Sequence, residues 1–485
     1  MSEKKSPHID VLKIARDTML AEGFDPDMPA TVGTIDESLT IKNANARDLR
    51  KLLWSSIDNA TSRDLDQVEF VEQQPDGIIR VLVGIADVDA FVPKGSSIDV
   101  HAFENTTSVY TGVVTFPMLP EELSTDKTSL LEGEDRLALV IEYAVAPDGS
   151  VTTRDVFRAL VHNYSKMSYE VIGNWLDSKA TAPDEVSRVP QLEQQVRLQF
   201  EAAQRLRKAR RAQGALRLRT IQATPVIDNL GEIVDLAIDE ENGARDLIEN
   251  FMVAANGSMA EFFDSKGITS MRRVVRTPEN WPRIVEIAKE LHDTLPETPD
   301  VHALSDFLER QRKADPDHFA DLSLAVVKLL GPGEYVVQQP GETVDGHFGL
   351  AVHRYTHSTA PNRRYADLIT QRLLKASIMG DGVPYGIDEL KQIAQHCNER
   401  ESAARKVERK MRKVAAALLM KNRIGDQFNA IVTGVTPKGT FARVVKPPID
   451  GMVVRGEKDL RVGQQIRVQL LSTNPSQGYI DFAAL

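Results

Sequence analysis

The sequence predicts a multidomain α+β protein. It comprises a large central domain of mixed strands and helices, a small five-stranded C-terminal barrel and a short helical N-terminal segment. Three observations carry this. Apolar and polar residues alternate strongly over 57–160 and again beyond Gly425, the period of a strand. Helical patterns dominate 169–328. One apolar stripe runs through 388–423 at steps of three or four residues, the mark of a single long helix. A chain of 485 residues is long enough for about three domains with cores that need no covalent staples.

Along the chain, residues 8–22 form a short amphipathic stretch with Ile9, Leu12, Ile14, Met19 and Leu20, stopped by Gly23 and Pro26. Residues 45–53 are a second short helix candidate. In the alternating region, Val68, Phe70 and Val71 precede Pro75-Asp76-Gly77, which marks a hairpin turn before Ile78–Val83. The long helix buries Ile393, Cys397, Ala404, Val407, Met411, Val414 and Leu418. After Gly425, short strands around Phe428–Val432, the run GVTPKGTFARV, Gly463–Leu470 and Tyr479–Phe482 are separated by Pro, Gly and Asn-Pro turns. About 60 residues of such strands suit an OB-fold, the oligonucleotide/oligosaccharide-binding barrel. Phe428 and Phe441 can stack bases on its face or fill its core, and spacing favours core for one of them.

Composition excludes several classes. The single cysteine, Cys397, cannot close an intramolecular disulfide or form a thiolate zinc site. The start MSEKKSPHID lacks the apolar core of a signal peptide, and no apolar run reaches the ~18–20 residues of a membrane span. The expectation is a soluble, cytoplasmic protein with no membrane contact. A net charge of −11 argues against a nucleic-acid partner until it is divided. Residues 391–485 carry +9, leaving −20 for the rest. Arg405, Lys406, Arg409, Lys410, Arg412 and Lys413 crowd the long helix, and 197–219 holds eight Arg or Lys against Glu201 alone. Such stretches serve equally as solvated faces or phosphate-facing surfaces.

The sharpest chemical feature is the run IDNATSRDLDQ, with Asp58, Asp64, Asp66 and Gln67. Asp64 and Asp66 are two apart, so an extended segment turns both carboxylates the same way, and Asn59–Ser62 can fold Asp58 back beside them. An Asp-rich surface turn has the same spacing. Gathered carboxylates repel unless a cation offsets them, and an all-oxygen set suits magnesium, or manganese, rather than zinc. Such an ion activates water and stabilises the leaving oxygen in phosphodiester hydrolysis. A second group, Ala360-Pro361-Asn362-Arg363-Arg364-Tyr365, opens a helical run. There the two guanidiniums can point together at an anion, or form an exposed pair. His347, His353 and His357, irregularly spaced, are read as structural or hydrogen-bonding residues.

These motifs resemble the ribonuclease II and ribonuclease R family of processive 3′-to-5′ exoribonucleases. The resemblance rests on the Asp-rich loop, IADVDAFV (85–92), FPMLPEELS (116–124), LIENFMVAAN (247–256), APNRRYADL (360–368) and the Glu408-Arg409 pair, in that order. It implies an N-terminal module over 1–44 (helix-turn-helix-like or a packing cap), a catalytic domain with a buried RNA channel over 45–424 and an S-one-type RNA-binding barrel over 425–485. It further implies a magnesium site at Asp58, Asp64 and Asp66. Arg363 would hold the scissile phosphate with Arg364 as its neighbour, and Asp66 and Arg363 would carry the chemistry. Tyr110 would stack on the 3′-terminal base, and Tyr169, Glu249 and Glu408 would contact RNA. Single-stranded RNA is the implied partner, nucleoside 5′-monophosphates the products, and a monomer the expected state. Two positions depart from the family pattern. Gln67 stands where many members carry a fourth aspartate, which bears on a second metal. Leu218 stands where a phenylalanine usually completes the stacking clamp, a loss of ~1–3 kcal/mol. The family's two N-terminal cold-shock barrels also have no counterpart in the residues before 45. A catalytically impaired RNA-binding regulator on the same domains is the alternative.

Overall fold

The computed structural model describes residues 10–28, 46–178, 181–219, 223–227, 233–238, 241–316 and 318–485. The chain first lays down strands β1 (Arg47–Asp48), β2 (Trp54–Asp58), β3 (Gln67–Gln73) and β4 (Ile79–Ala86). A two-strand ribbon follows, β5 (Val109–Tyr110) and β6 (Thr115–Phe116), and then β7 (Asp135–Val145) and β8 (Val151–Ser168). All but the ribbon form one sheet in the order β1-β8-β2-β3-β4-β7. Strand β8 is 18 residues long and does two jobs. Its first part pairs antiparallel with β7, and its last part, Asn163–Ser168, pairs parallel with β2, so the ring of pairings closes. The hairpin between β3 and β4 turns at Pro75–Gly77, where Asp76 and Gly77 take positive φ.

Valines and isoleucines of β3, β4 and β7 are buried almost continuously rather than on alternate residues. Both faces of the sheet are therefore covered, one of them by helices Leu192–Ala212 and Gly243–Lys266. Residues 46–53 are not helical, contrary to the sequence expectation for 45–53 (Asn45 lies outside the described residues). Arg47 and Asp48 pair with Ala159 and Leu160 of β8 instead. A sheet edge offers backbone partners that so short a helix cannot match.

A second helical cluster, Trp281–Glu290, Val301–Ala314 and Phe319–Leu330, buries Trp281, Phe307 and Phe319 in its own core. Two small ribbons, β9 (Ala223–Ile227) with β10 (Ile233–Ile238) and β11 (Ser270–Val274) with β12 (Glu334–Gln338), complete the central body. The long helix spans Ile387–Met420, and its predicted stripe from Ile393 to Val414 is buried. Helix Val11–Ala21, capped by Asp10, packs Ala15 and Met19 on this stripe near Ala403 and Val407. Leu12 and Leu20 face outward, so its apolar face is narrower than the sequence suggested. The remainder of the 1–44 module lies outside the described residues.

The C-terminal barrel closes as β13 (Gln427–Thr436), β14 (Gly439–Val444), β15 (Ile449–Arg455), β17 (Tyr479–Ala484) and β16 (Gln465–Asn474). Five strands were expected; β15 was not separated from its neighbours. Phe428 belongs to the barrel core, and Arg423 lies 4.6 Å over its ring. It is therefore a packing residue and not a base-stacking one, while Phe441 is half-buried. Among the described residues, no helix is long and apolar enough to cross a membrane.

Trp54, fully buried and tilted against Phe70 at 6.1 Å, anchors the sheet core. Trp54→Ala should lower stability by about 3–5 kcal/mol, read as a drop in the urea midpoint at unchanged m-value.

Candidate active site

The loop after β2 is shaped by its own polar residues. Asp58 Oδ1 accepts from the Asn59 backbone N–H (2.6 Å) and the Ser62 hydroxyl (2.9 Å), which folds the chain back as the turn-forming run predicts. Lys166 from β8 donates to the Ala60 and Ser62 carbonyls at 2.8 and 2.6 Å. Ser129 ties the other end, accepting from Leu65 N–H and donating to the Arg63 carbonyl. With Leu65 buried between them, Asp64 and Asp66 turn the opposite way together.

Asp66 is the fixed point. Its side chain is 2% exposed, and two groups from a distant loop meet it. The Asn362 backbone N–H donates to Oδ1 at 3.0 Å, and Arg363 Nε lies 3.2 Å from Oδ2. Burial pushes the Asp66 carboxyl up to about 7, and the neighbouring charge of Asp64 adds to this, while Arg363 and the Asn362 N–H pull it down. Arg363 itself stays half-exposed. Arg364 does not join it. Its guanidinium is bound bidentately to Asp367 at 2.8 Å, because Asp367 is fully buried one helical turn away and needs a cation. The expected convergence of both arginines on one anion is thus replaced by a division of labour, with Arg364 bracing the loop.

The ribbon β5–β6 is stitched to the same loop. Ser108 N–H donates to the Arg363 carbonyl (3.0 Å) and Tyr365 N–H to the Thr106 carbonyl (2.8 Å). This sets the Tyr110 ring, 41% exposed, beside the aspartates, its hydroxyl 3.2 Å from Asp64 Oδ2. Glu408 of the long helix accepts from the Tyr110 N–H at 3.4 Å. It therefore holds the ribbon rather than standing alone on the surface.

On the far side of Asp58, the parallel pairing with Ser168 puts Tyr169 next to the loop. Arg245 lies 4.7 Å over the Tyr169 ring and donates to Asn59 Oδ1 at 3.2 Å. From there a cavity of about 490 Å³ opens, walled by Arg207, Arg210, Arg217, Arg245, Glu249 and Leu218. Leu218 is half-buried against the second helical cluster. His347 and His357 are structural as expected. The Tyr335 hydroxyl meets His357 Nδ1 at 2.7 Å, and Leu350 N–H donates to His347 Nδ1 at 3.2 Å.

Sequence reasoning missed Asn362, Ser129, Lys166 and Arg245. Only Asn362, inside APNRRY, sat within a motif; Ser129 and Lys166 act through backbone contacts, and Arg245 through a ring and the Asn59 amide, none of which leaves a spacing signal. It also missed Glu69, fully buried in β3 with neither carboxylate oxygen partnered. Burial, and then Asp58, push its carboxyl well above the usual range.

The oxygen donors suit a hard dication. Asp58, Asp64 and Asp66 offer only carboxylates, and buried Asp66 Oδ2 has no hydrogen-bond donor. Among the described residues, the His and carboxylate trio whose ligand atoms all lie within 4.8 Å of one another is Asp25, His101 and Glu104, against helix Ser97–Asn105; Asp58, Asp64 and Asp66 are not drawn that close together.

A loop bearing three aspartates, of which Asp66 is buried, with a half-exposed arginine beside it and a closed five-stranded barrel at the C-terminus, suits a nuclease. Residues 46–380 match the RNB domain family, and residues 426–485 match the RNase II-type exonuclease C-terminal S1 domain. The chain belongs to the RNB exoribonuclease family. It is 30% identical to ribonuclease R of Thermotoga maritima over 99% of its own length and 73% of that protein. Its fold is similar to the apo form of Mycoplasma genitalium RNase R, with a TM-score of 0.87, 24% identity, and coverage of 98% of this chain and 78% of that one. It is also similar to yeast Ssd1, a pseudonuclease, with a TM-score of 0.69, 18% identity, and coverage of 93% and 56%.

The raised Asp66 carboxyl has a signed consequence. Its folded-state proton stabilises the metal-free protein below the ordinary carboxylate range, and that contribution is lost as pH rises through about 7. A dication needs the ionised form. The rise in melting temperature on adding millimolar MnCl2 should therefore be larger near pH 8 than near pH 5.5, as measured by scanning fluorimetry; an equal rise at both would count against Asp66 as a ligand.

Proposed function

We propose that the protein is a processive 3′-to-5′ exoribonuclease that hydrolyses single-stranded RNA to nucleoside 5′-monophosphates with a bound magnesium or manganese ion. The observation that carries this reading is the pairing of Asp66 with Asn362 and Arg363, which sets a half-exposed guanidinium beside a buried carboxylate. Asp58, Asp64 and Asp66 would hold the ion; Gln67, buried and neutral at the start of β3, would add no charge. When bound, the ion supplies the positive charge that eases attack by water and departure of the 3′ oxygen.

The chain's own residues do the rest. Arg363, half-exposed, neutralises charge building on the scissile phosphate, with its geometry set by Asp66. The Tyr110 ring is open to one face and stacks on the last base. Its hydroxyl stays on Asp64, so the stop for the RNA end and the acidic loop share one frame. The arginine-walled cavity accepts the backbone of the preceding nucleotides, with Glu249 in its wall and Tyr169 reached through Arg245 at its edge. Leu218 contributes a soft wall where a ring would clamp. The barrel, with Phe441 half-open, and the basic face of the long helix meet the upstream strand without reading sequence.

A catalytically impaired RNA-binding regulator is the second reading, motivated by Gln67 and Leu218, which replace an aspartate and a phenylalanine of the family pattern. Incubating 5′-labelled oligo(A) with magnesium separates the two: wild type should convert the full-length strand to a short labelled end fragment, and Asp66→Asn should bind yet not cleave. Binding without any shortening by wild type would establish the regulator. Leu218→Phe should tighten binding of short oligo(A) by about tenfold, equivalent to ~1.4 kcal/mol, as read by fluorescence anisotropy; no change would mean that position 218 does not meet a base.

A further inference from the structure

We propose that Asp25, His101 and Glu104 form a second metal site, separate from the acidic loop, that takes a zinc-class dication and clasps the N-terminal segment to the central body. Their ligand atoms, one ring nitrogen and one oxygen from each carboxylate, all lie within 4.8 Å of one another. His101 and Glu104 are three apart on helix Ser97–Asn105, the spacing that places two side chains on one helical face. Asp25 arrives from the other side, on the segment that follows helix Val11–Ala21. Its neighbours hold it there. Phe24 is 2% exposed with Arg400 4.1 Å over its ring, and Asn105 grips the Asp25 backbone.

That grip also orients the imidazole. Asn105 Oδ1 accepts from the Asp25 N–H at 3.0 Å and Nδ2 donates to the Asp25 carbonyl at 2.8 Å, which fixes the amide. An N–H of the same amide therefore faces His101 Nε2 at 3.2 Å, and that nitrogen presents a lone pair. The ring is 4% exposed and has no other hydrogen-bond partner among the described residues. A contact of 3.2 Å is at the long end of the range and yields to a metal bond. The carboxylates, both exposed, lack a counter-charge: among the described residues neither Asp25 nor Glu104 has an ion pair. Two carboxylates gathered at an uncharged imidazole repel each other unless a cation joins them. The nitrogen donor favours zinc or cobalt, whereas the all-oxygen loop at Asp58–Asp66 favours magnesium. Bonds of ~2.0–2.2 Å to zinc draw the three atoms together by about 1 Å, which rotation of the exposed carboxylates supplies. Helix Ser97–Asn105 runs on into Thr106, whose carbonyl accepts from the Tyr365 N–H at 2.8 Å. The clasp thus fastens the N-terminal segment to the frame that carries the Tyr110 ribbon.

The test is Zn2+ binding to the full-length protein in excess MgCl2, read by competition with a chromogenic chelator, for wild type, Asp25→Asn, Glu104→Gln, His101→Gln and Asp66→Asn. Wild type should bind one Zn2+ per chain tightly, and Asp66→Asn should keep it. Asp25→Asn and Glu104→Gln should each weaken it by about tenfold or more, since even residues behind metal ligands matter by that much. Both substitutions keep side-chain shape at exposed positions, so they carry the test if His101→Gln does not fold. Zn2+ should also slow tryptic cleavage at Lys13 and Arg16 in wild type and leave it unchanged in Glu104→Gln. Zn2+ affinity within about twofold of wild type in both Asp25→Asn and Glu104→Gln would overturn the proposal. So would the absence of Zn2+ uptake by wild type, or its loss in Asp66→Asn alone, which would place the ion at the acidic loop.

Discussion

The Asp66 carboxylate, sealed from water and met by one N–H and one guanidinium from a loop 296 positions away, is the constraint on which the site depends. Leaving a buried carboxylate unpaired is costly, so displacing the loop at 360–364 would destabilise the acidic loop as well. Much of the surrounding hydrogen bonding is directed at that loop. Arg364 and Asp367 lock its exit, Ala360 N–H binds Asp367 at its entry, and Thr128 holds the Asn362 side chain. The ribbon carrying Tyr110 hangs from the same backbone.

Strand β8 makes the other half of the arrangement. A strand long enough to pair first with β7 and then with β2 closes the sheet and delivers Ser168 to Asp58. Tyr169 follows as the next residue, beginning helix Tyr169–Ser178. The two tyrosines therefore flank the acidic loop by different routes: one is held by a hydroxyl–carboxylate bond, the other by strand register and an arginine over its ring.

What could be read from the sequence follows from what spacing encodes. The long helix, the β3–β4 turn and the small barrel were legible because each is a local period with local stops. Asp64 and Asp66 were legible as a pair because two-residue spacing fixes their common direction. The fate of Arg364 was not, since it depends on whether Asp367 is buried, and burial is a property of the packed helix. Phe428 was ambiguous for the same reason. Residues 46–53 misled because a sheet edge contributed by β8, more than a hundred residues later, captured them. Glu69 was invisible, since an acidic residue among Val68, Phe70 and Val71 looks like the exposed side of an alternating strand.

The long helix carries three packing surfaces in succession: the main core at Ile393 and Cys397, the N-terminal helix at Ala404 and Val407, and the barrel at Ala416, Ala417 and Met420. No glycine or proline interrupts Ile387–Met420, so it has no kink of the usual kind. It acts as a ruler. From Glu408, which holds the Tyr110 ribbon, to Met420 in the barrel core is twelve residues, about 18 Å at the helical rise. The barrel core and the Tyr110 ribbon are thus held at a fixed spacing by one uninterrupted helix.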